Sequence, residues 1–459
     1  MNNFWDSSVW GSFNLFAVLL LSLLAASLLK KSVKALQDSL IPTSVVGGGI
    51  LLIIAAIYKL ITKEVMFDTA FFGNKGSTVL EVVTYHALAL GFIASAFTGS
   101  GSKFTKERNI EIFNTGVTTV ATYLIQAILG LAITIPAAHI ISDFFPAAGI
   151  LLPFGYGQGT GQALNYGNIY EMDFGFAGGK SFGLTVAAMG FLSASIGGVI
   201  HLNLSKNRKR REENASRRSV AAEDKSTEKD IPIFENMDTL SVQIAFVTMA
   251  YFVTYLVMSL LGTLVPGLKS VIFGFNFLLG VLMATLSKMV INKLHQKNIL
   301  KKQYINDFLM VRVRNFFFDI MVVAGIAAIR LEALSDYLGV LLILGISGAI
   351  VTYIYLRIVC RALFKHYEEE QFLAMYGMLT GTASTGIILL REIDEDFTTP
   401  ASDNLVYQNF PAIVFGFPMM LLATLAPKMP EWTLMIVVLF FVVMNIILFR
   451  SLIFKKRNS

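Results

Sequence analysis

Runs of about 20 apolar residues recur along the chain from Leu15 to Phe449. A helix of that length matches the hydrocarbon thickness of a bilayer. Inside hydrocarbon the backbone must satisfy its own hydrogen bonds, which leaves helices or a closed barrel. Lysine and arginine are gathered between the runs, where membrane topology places them. Only 15% of residues are charged and 55% are apolar, whereas soluble chains carry about 25% charge. The expected class is an all-α polytopic membrane protein. The net charge of +6 is read as topology, not as a nucleic-acid surface. A single cysteine, Cys360, excludes an internal disulfide framework and offers no metal spacing. No basic region precedes the first run, so that run is expected to be a permanent helix and not a cleaved signal.

The spans are expected at about Leu15–Leu29, Val45–Ile61, Tyr85–Phe97, Ile110–Ile135 and Phe182–Leu204. Trp5 and Trp10 precede the first as interfacial anchors, and Pro136 marks the end of the fourth. Residues 205–240 form a basic linker containing Lys206, Arg208, Lys209, Arg210 and Arg211. The second half repeats the plan at about Val242–Val265, Ser270–Ile291, Arg314–Arg330, Leu338–Val359 and Ala412–Ala426. A last span, about Trp432–Phe449, leads into Lys455-Lys456-Arg457.

Two polar, glycine-rich stretches interrupt this pattern, one in each half. The first is Gly155-Tyr156-Gly157-Gln158-Gly159-Thr160-Gly161-Gln162, and the second Thr380-Gly381-Thr382-Ala383-Ser384-Thr385-Gly386. Irregular backbone at membrane depth survives only inside protein or against a wet cavity. The segment of about 140–170 reads as a re-entrant hairpin with its tip at the glycines, the alternative being two complete spans. Residues of about 371–393 read as a second hairpin. Basic clusters after the first, third and fifth spans set those ends inside and the N-terminus outside. The second half starts inside and the C-terminus is cytoplasmic. Five spans then run from outside and five from inside, with one extra helix at the end. The expected architecture is two inverted repeats, residues 1–204 and 241–428, each with a re-entrant hairpin, followed by an additional C-terminal segment, 429–459.

Broken helix ends supply ligand groups. Helix N-termini present N–H groups and partial positive charge to a carboxylate, whereas unwound carbonyls suit Na⁺. Glycine lets the backbone approach a ligand. Gly157, Gln158, Gly159, Thr160, Gly161, Gln162, Gly381, Thr382, Ser384 and Thr385 are therefore candidate substrate contacts. Thr160, Asn114, Thr380, Ser384 and Asp319 are candidate Na⁺ ligands. Asn165 adds a further amide. Tight packing of small residues is the competing explanation of the glycines.

Gly155-Tyr-Gly-Gln-Gly-Thr-Gly-Gln-Ala163 resembles the first hairpin motif of the bacterial sodium:glutamate symporter family, whose best-known members carry Gly-Gly-His-Gly-Thr-Gly-Ala there. Tyr376-Gly-Met-Leu-Thr-Gly-Thr-Ala-Ser-Thr-Gly-Ile, ending in Leu390-Arg391-Glu392-Ile393-Asp394, is similar to the second-hairpin region of less-studied relatives. The likeness covers nearly the whole chain. It implies Na⁺-driven secondary transport of glutamate or a related dicarboxylate-type anion. It also implies a homodimer held by one set of spans while the hairpin-bearing set moves, in the bacterial inner membrane. The architecture is shared with 2-hydroxycarboxylate carriers. Gln158 stands where those members have His, and Tyr156 where they have Gly. The eleventh span and the long basic loop also differ.

Charged residues near the spans are few. Arg391 follows the second tip and is a candidate bidentate partner for a carboxylate. Alternatively Arg391, Glu392 and Asp394 form a solvated hairpin exit. Asp319 either binds Na⁺ or pairs with Arg312 or Arg314. His86 is read as a packed or interfacial residue, and Asn276 as a cavity or inter-helix residue. No metal-ligand pair, nucleophile elbow or dinucleotide fingerprint is present, so an enzyme with a cofactor is not expected. A carrier of another carboxylate, coupled to protons or Na⁺, and a channel with paired re-entrant loops remain the alternative readings.

Overall fold

The computed structural model describes residues 3–38, 40–98, 105–204, 238–266, 269–299, 304–331, 334, 337–394 and 398–453. Most of the anticipated basic linker and the Lys455–Arg457 tail lie outside them. Every regular element among the described residues is a helix.

In chain order the principal helices are α1 (Ser7–Ser32), α2 (Thr43–Thr62), α3 (Gly76–Phe97), α4 (Lys106–Ile140), α5 (Leu151–Phe174) and α6 (Gly179–Leu202). There follow α7 (Thr239–Leu264), α8 (Asn276–Gln296), α9 (Asp307–Ala327), α10 (Leu338–Leu363), α11 (Glu368–Thr380) and α12 (Ala383–Arg391). The chain continues with α13 (Ala401–Tyr407), α14 (Asn409–Leu425) and α15 (Pro430–Leu448). Among the described residues nine helices are long and apolar enough to cross a membrane. A tenth candidate is the bent pair formed by α13 and the Pro411–Leu425 segment, at 52°. The expected span ending near Arg330 forms as α9, but Asp307, Arg312, Arg314 and Asp319 keep it off that set.

The chain divides into two compact units, and each draws helices from both halves of the sequence. The first unit takes the start of α1 with α3, α7, α8 and most of α9. Its core includes Ile93, Ala94 and Phe97 of α3, Val247 and Ala250 of α7, and Val313 of α9. His86 Nδ1 lies 2.6 Å from Tyr251 Oη, and Asn276 Nδ2 donates to the Tyr85 carbonyl at 3.2 Å. These bonds tie α3, α7 and α8 together.

The second unit holds the rest of α1, α2, α4–α6 and α10–α15, and contains both glycine-rich stretches. Its longest helix, α4, runs 35 residues, or roughly 50 Å. Pro136 does not end it, contrary to the sequence expectation. A proline removes one intrahelical bond, and α4 continues past it for one more turn to Ile140. Four threonines on α4 return their hydroxyls to carbonyls one turn back: Thr115, Thr118, Thr119 and Thr122. The polar face of α4 is thereby buried without unmet hydroxyls. Near the end of α4 the Thr134 hydroxyl donates to the Pro146 carbonyl at 2.7 Å and accepts from the Gly149 N–H at 3.1 Å. This pins the short 3₁₀ turn Pro146–Ile150 that leads into α5. Ile140, expected to open the first hairpin, therefore belongs to α4.

Candidate functional site

The first glycine-rich stretch lies within α5 and is broken at Gly159, with φ 79° and ψ −172°. That left-handed φ is open to glycine and strained for any residue with a Cβ. The break reverses the chain. Phe154 and Tyr166 stack with ring centroids 3.9 Å apart. In an unbroken helix those 12 positions would be about 18 Å apart. Further out, Phe145 meets Tyr170 at 5.3 Å. The two halves of α5 thus lie side by side. From Leu151 to Gly167 every residue is buried except Gln158. The outer half is seated on α14 by Tyr166 and Tyr170, whose hydroxyls donate to the carbonyls of Met420 (3.0 Å) and Ala423 (2.6 Å).

The second stretch separates α11 from α12 at Gly381 and Thr382. Thr382 caps α12: its hydroxyl accepts from the Thr385 N–H and lies 3.2 Å from Thr385 Oγ1. Here too the arms fold together. A Cβ on Gly377 would fall 2.7 Å from the Gly386 Cα, so the backbones touch where any side chain would part them. Residues 369–381 are all buried, Thr382 is half-buried and Ala383 is exposed. At the first break only Gln158 is partly exposed, and at the second the accessible residues among those described are Thr382 and Ala383.

Helix breaks leave carbonyls without intrahelical partners. Two side chains of α4, one turn apart, supply the donors. Tyr123 Oη donates to the Gly157 carbonyl at 3.2 Å, and Gln126 Nε2 donates to the Leu379 carbonyl at 3.0 Å and to Thr352 Oγ1 at 2.9 Å. Each tip has a carbonyl held by the same face of one helix. The opposite support is α6. Tyr156 Oη lies 2.9 Å from Ser193 Oγ, while Tyr376 Oη donates to the Ser193 carbonyl at 3.1 Å. Tyr156 also donates to the Gly345 carbonyl on α10.

Two buried amide atoms in this region have no protein partner among the described residues: Gln126 Oε1 and Gln162 Nε2. Gln162 spends its oxygen on Asn165 Nδ2, at 3.0 Å. One acceptor thus stands at the second break and one donor just beyond the first. Leaving either unmet costs about 1–3 kcal/mol, which a bound polar ligand would recover.

The structure brings together Gly157, Gly159, Thr160, Gly161 and Gln162 at the first break. It brings Thr380, Gly381, Thr382 and Thr385 together at the second. Thr380 Oγ1 donates to the Tyr376 carbonyl at 2.6 Å. Ser384 lies in α12, its side chain outside the described residues. Arg391 is not at the break. It is exposed at the far end of α12, roughly 13 Å of helix beyond Thr382. Nor is the exit solvated throughout, because Glu392 and Asp394 are buried. Asp394 accepts four bonds from the backbone and hydroxyls of Thr398 and Thr399. Burial pushes its carboxyl upward, but those bonds outweigh it and hold the group below the usual carboxylate range. Asn114 is engaged elsewhere: its Oδ1 accepts from Arg450 Nη1 at 3.0 Å, three turns before Gln126. Asp319 is exposed and belongs to the other unit.

Tyr123 and Gln126 were the residues missed as site residues. Gln126 is a lone amide in an apolar run, which signals a buried polar contact, but only the fold shows that the contact is a broken helix. Among the described residues no group of three His, Cys, Asp or Glu side chains could hold a metal ion.

Among the described residues the chain is thus all-helical, with nine helices long and apolar enough to cross a membrane and two chain reversals clamped within one unit. No protein-family profile matches the chain, and no curated protein matches it either.

Proposed function

We propose that this chain is a secondary active transporter that carries L-glutamate, or a closely related amino-acid or dicarboxylate anion, together with Na⁺ by alternating access. The observation that carries this reading is the pair of clamped chain reversals, with one unmatched buried acceptor and one unmatched buried donor beside them.

Two further features support it. A long helix, a reversal and a helix follow one another as α4–α5–α6, and again as α10, α11/α12 and α14, all in the second unit. This repeated order supports reading the chain as an inverted repeat with two re-entrant hairpins, and such repeats place substrate at their broken helices. The N-terminal N–H groups after Gly159 and Thr382 suit a carboxylate, while Thr160, Thr380 and neighbouring carbonyls suit Na⁺. In this reading the protein is a homodimer in the bacterial inner membrane, with its N-terminus outside and C-terminus in the cytoplasm.

The test is uptake of radiolabelled L-glutamate into proteoliposomes under an inward Na⁺ gradient, with choline as the control cation. Saturable uptake above equilibrium that needs Na⁺, and counterflow from preloaded vesicles, are expected. Flux that neither saturates nor shows counterflow would identify a channel. Saturable uptake indifferent to Na⁺ would leave the carrier of another coupling ion.

A further inference from the structure

Where the C-terminal ends of α6 and α10 meet the N-terminal end of α11 lies a charged cluster that the transport site does not use. His201, in the last turn of α6, is 1% exposed, and Glu369, in the first turn of α11, is 5% exposed. Glu369 Oε2 lies 2.7 Å from His201 Nε2, and Oε1 accepts from Arg357 Nη2 of α10 at 2.5 Å. On the other side of the imidazole, Nδ1 is 2.8 Å from Tyr353 Oη. The titratable and charged groups facing the cluster are Tyr353, Arg357, Cys360 and Arg361 on α10, and Glu368 and Glu369 on α11. From α12 the contact to α6 is apolar, through Leu389 against Gly198.

The bonding requires a choice at one nitrogen. With Arg357 on its other oxygen, the Glu369 carboxylate accepts from His201, so Nε2 carries hydrogen. When the imidazole is neutral, Nδ1 accepts the Tyr353 O–H. When a proton arrives at Nδ1, the ring becomes a cation, Nδ1–H donates to the Tyr353 oxygen, and the Tyr353 O–H must turn to another acceptor. One proton is gained and no other covalent bond changes. Both helix termini favour the ion pair, a cation at the C-terminal end of α6 and a carboxylate at the N-terminal end of α11.

Tyr353, whose hydroxyl must change partner, is packed onto the helix that leads to the second break. Tyr353 packs edge-on against Phe372 (5.0 Å) and Tyr376 (5.6 Å), which stack on each other at 5.6 Å. Glu369, Phe372, Tyr376 and Thr380 run up one face of α11 at helical spacing. The Thr380 hydroxyl closes on the Tyr376 carbonyl directly before Gly381.

We propose that His201, with Glu369 and Tyr353, is a proton-binding site whose occupancy sets the conformation of the α11–α12 break. The proposal rests on the reading of that break as a working site, but not on glutamate as substrate or Na⁺ as coupling ion.

The experiment needs no transport. Protein in nanodiscs with ¹⁵N-labelled imidazoles has five histidine signals, and His201→Gln identifies one of them. That ring is expected to pass from the neutral Nε2–H form to the imidazolium as the pH is lowered. Glu369→Gln should lower its midpoint by about one pH unit, a tenfold loss of proton affinity. In parallel, a nitroxide on the thiol of Ala383→Cys, with the buried Cys360 replaced by Ala, reports the break through the same titration. Its spectrum should change with pH in the otherwise native chain and not in His201→Gln. Tyr353→Phe should keep the imidazole titration and lose the nitroxide response. An imidazole held in one protonation state throughout, or a nitroxide change that survives His201→Gln, overturns the proposal. Intact responses in protein that shows no glutamate uptake would support the proton site and count against the transport reading alone.

Discussion

Gln126 Nε2 donates to the carbonyl of Leu379 across 253 positions of sequence, and Tyr123, one turn earlier on α4, donates to the carbonyl of Gly157. One helix face therefore holds both chain reversals, and a change on that face reaches both tips.

Gln126→Met keeps the side-chain volume and removes the donor. The Leu379 carbonyl is then buried without its partner, at about 1–3 kcal/mol. Thermal unfolding in detergent should fall by that amount, and Na⁺-dependent glutamate uptake by about tenfold or more. Unchanged uptake in a destabilised but folded protein would separate the clamp from the site.

Gly159→Ala forces a Cβ into a left-handed backbone, at about 1–3 kcal/mol. Gly175 has a similar φ of 74° but open space around it and no break to maintain. Gly175→Ala is therefore expected to lower stability comparably and leave uptake intact, while Gly159→Ala loses both. Paired melting curves and uptake assays make the comparison.

Thr382→Ala removes the cap of α12, worth about 0.5–2 kcal/mol, and should abolish uptake at the second tip. Arg391→Ala, at the exposed far end of the same helix, should leave uptake within about twofold, since the shift is under 0.5 kcal/mol. A large loss from Arg391→Ala alone would return charge recognition to that residue.

Asp394 binds its proton more weakly in the folded chain than in the unfolded one. Its contribution is present above the unfolded carboxylate value of about 3.9 and is lost as pH falls through the lower folded value. Asp394→Asn should lower the melting temperature near neutral pH and show a smaller further loss below about pH 4 than the native chain. Melting curves across pH 3–7 test this, and equal acid sensitivity in both proteins would exclude Asp394 as a source.

The helical class was determined by the sequence alone, because apolar runs of bilayer length leave the backbone few other ways to pair its hydrogen bonds. The two interruptions were legible for the same local reason: Gly159 and the Thr380–Thr385 stretch break an apolar pattern that nothing else breaks. Pro136 misled because one lost hydrogen bond near a helix end is small beside the packing that continues α4. Arg391 misled because nearness in sequence says nothing of which end of a helix a residue occupies. What only the tertiary structure decided is long-range. Gln126 meets Leu379, and His201 meets Glu369 168 positions away, through contacts with no local periodicity or motif. Such pairs form because orphan carbonyls and buried charges must find partners wherever the fold brings them, and the fold, not the neighbouring residues, supplies the partner.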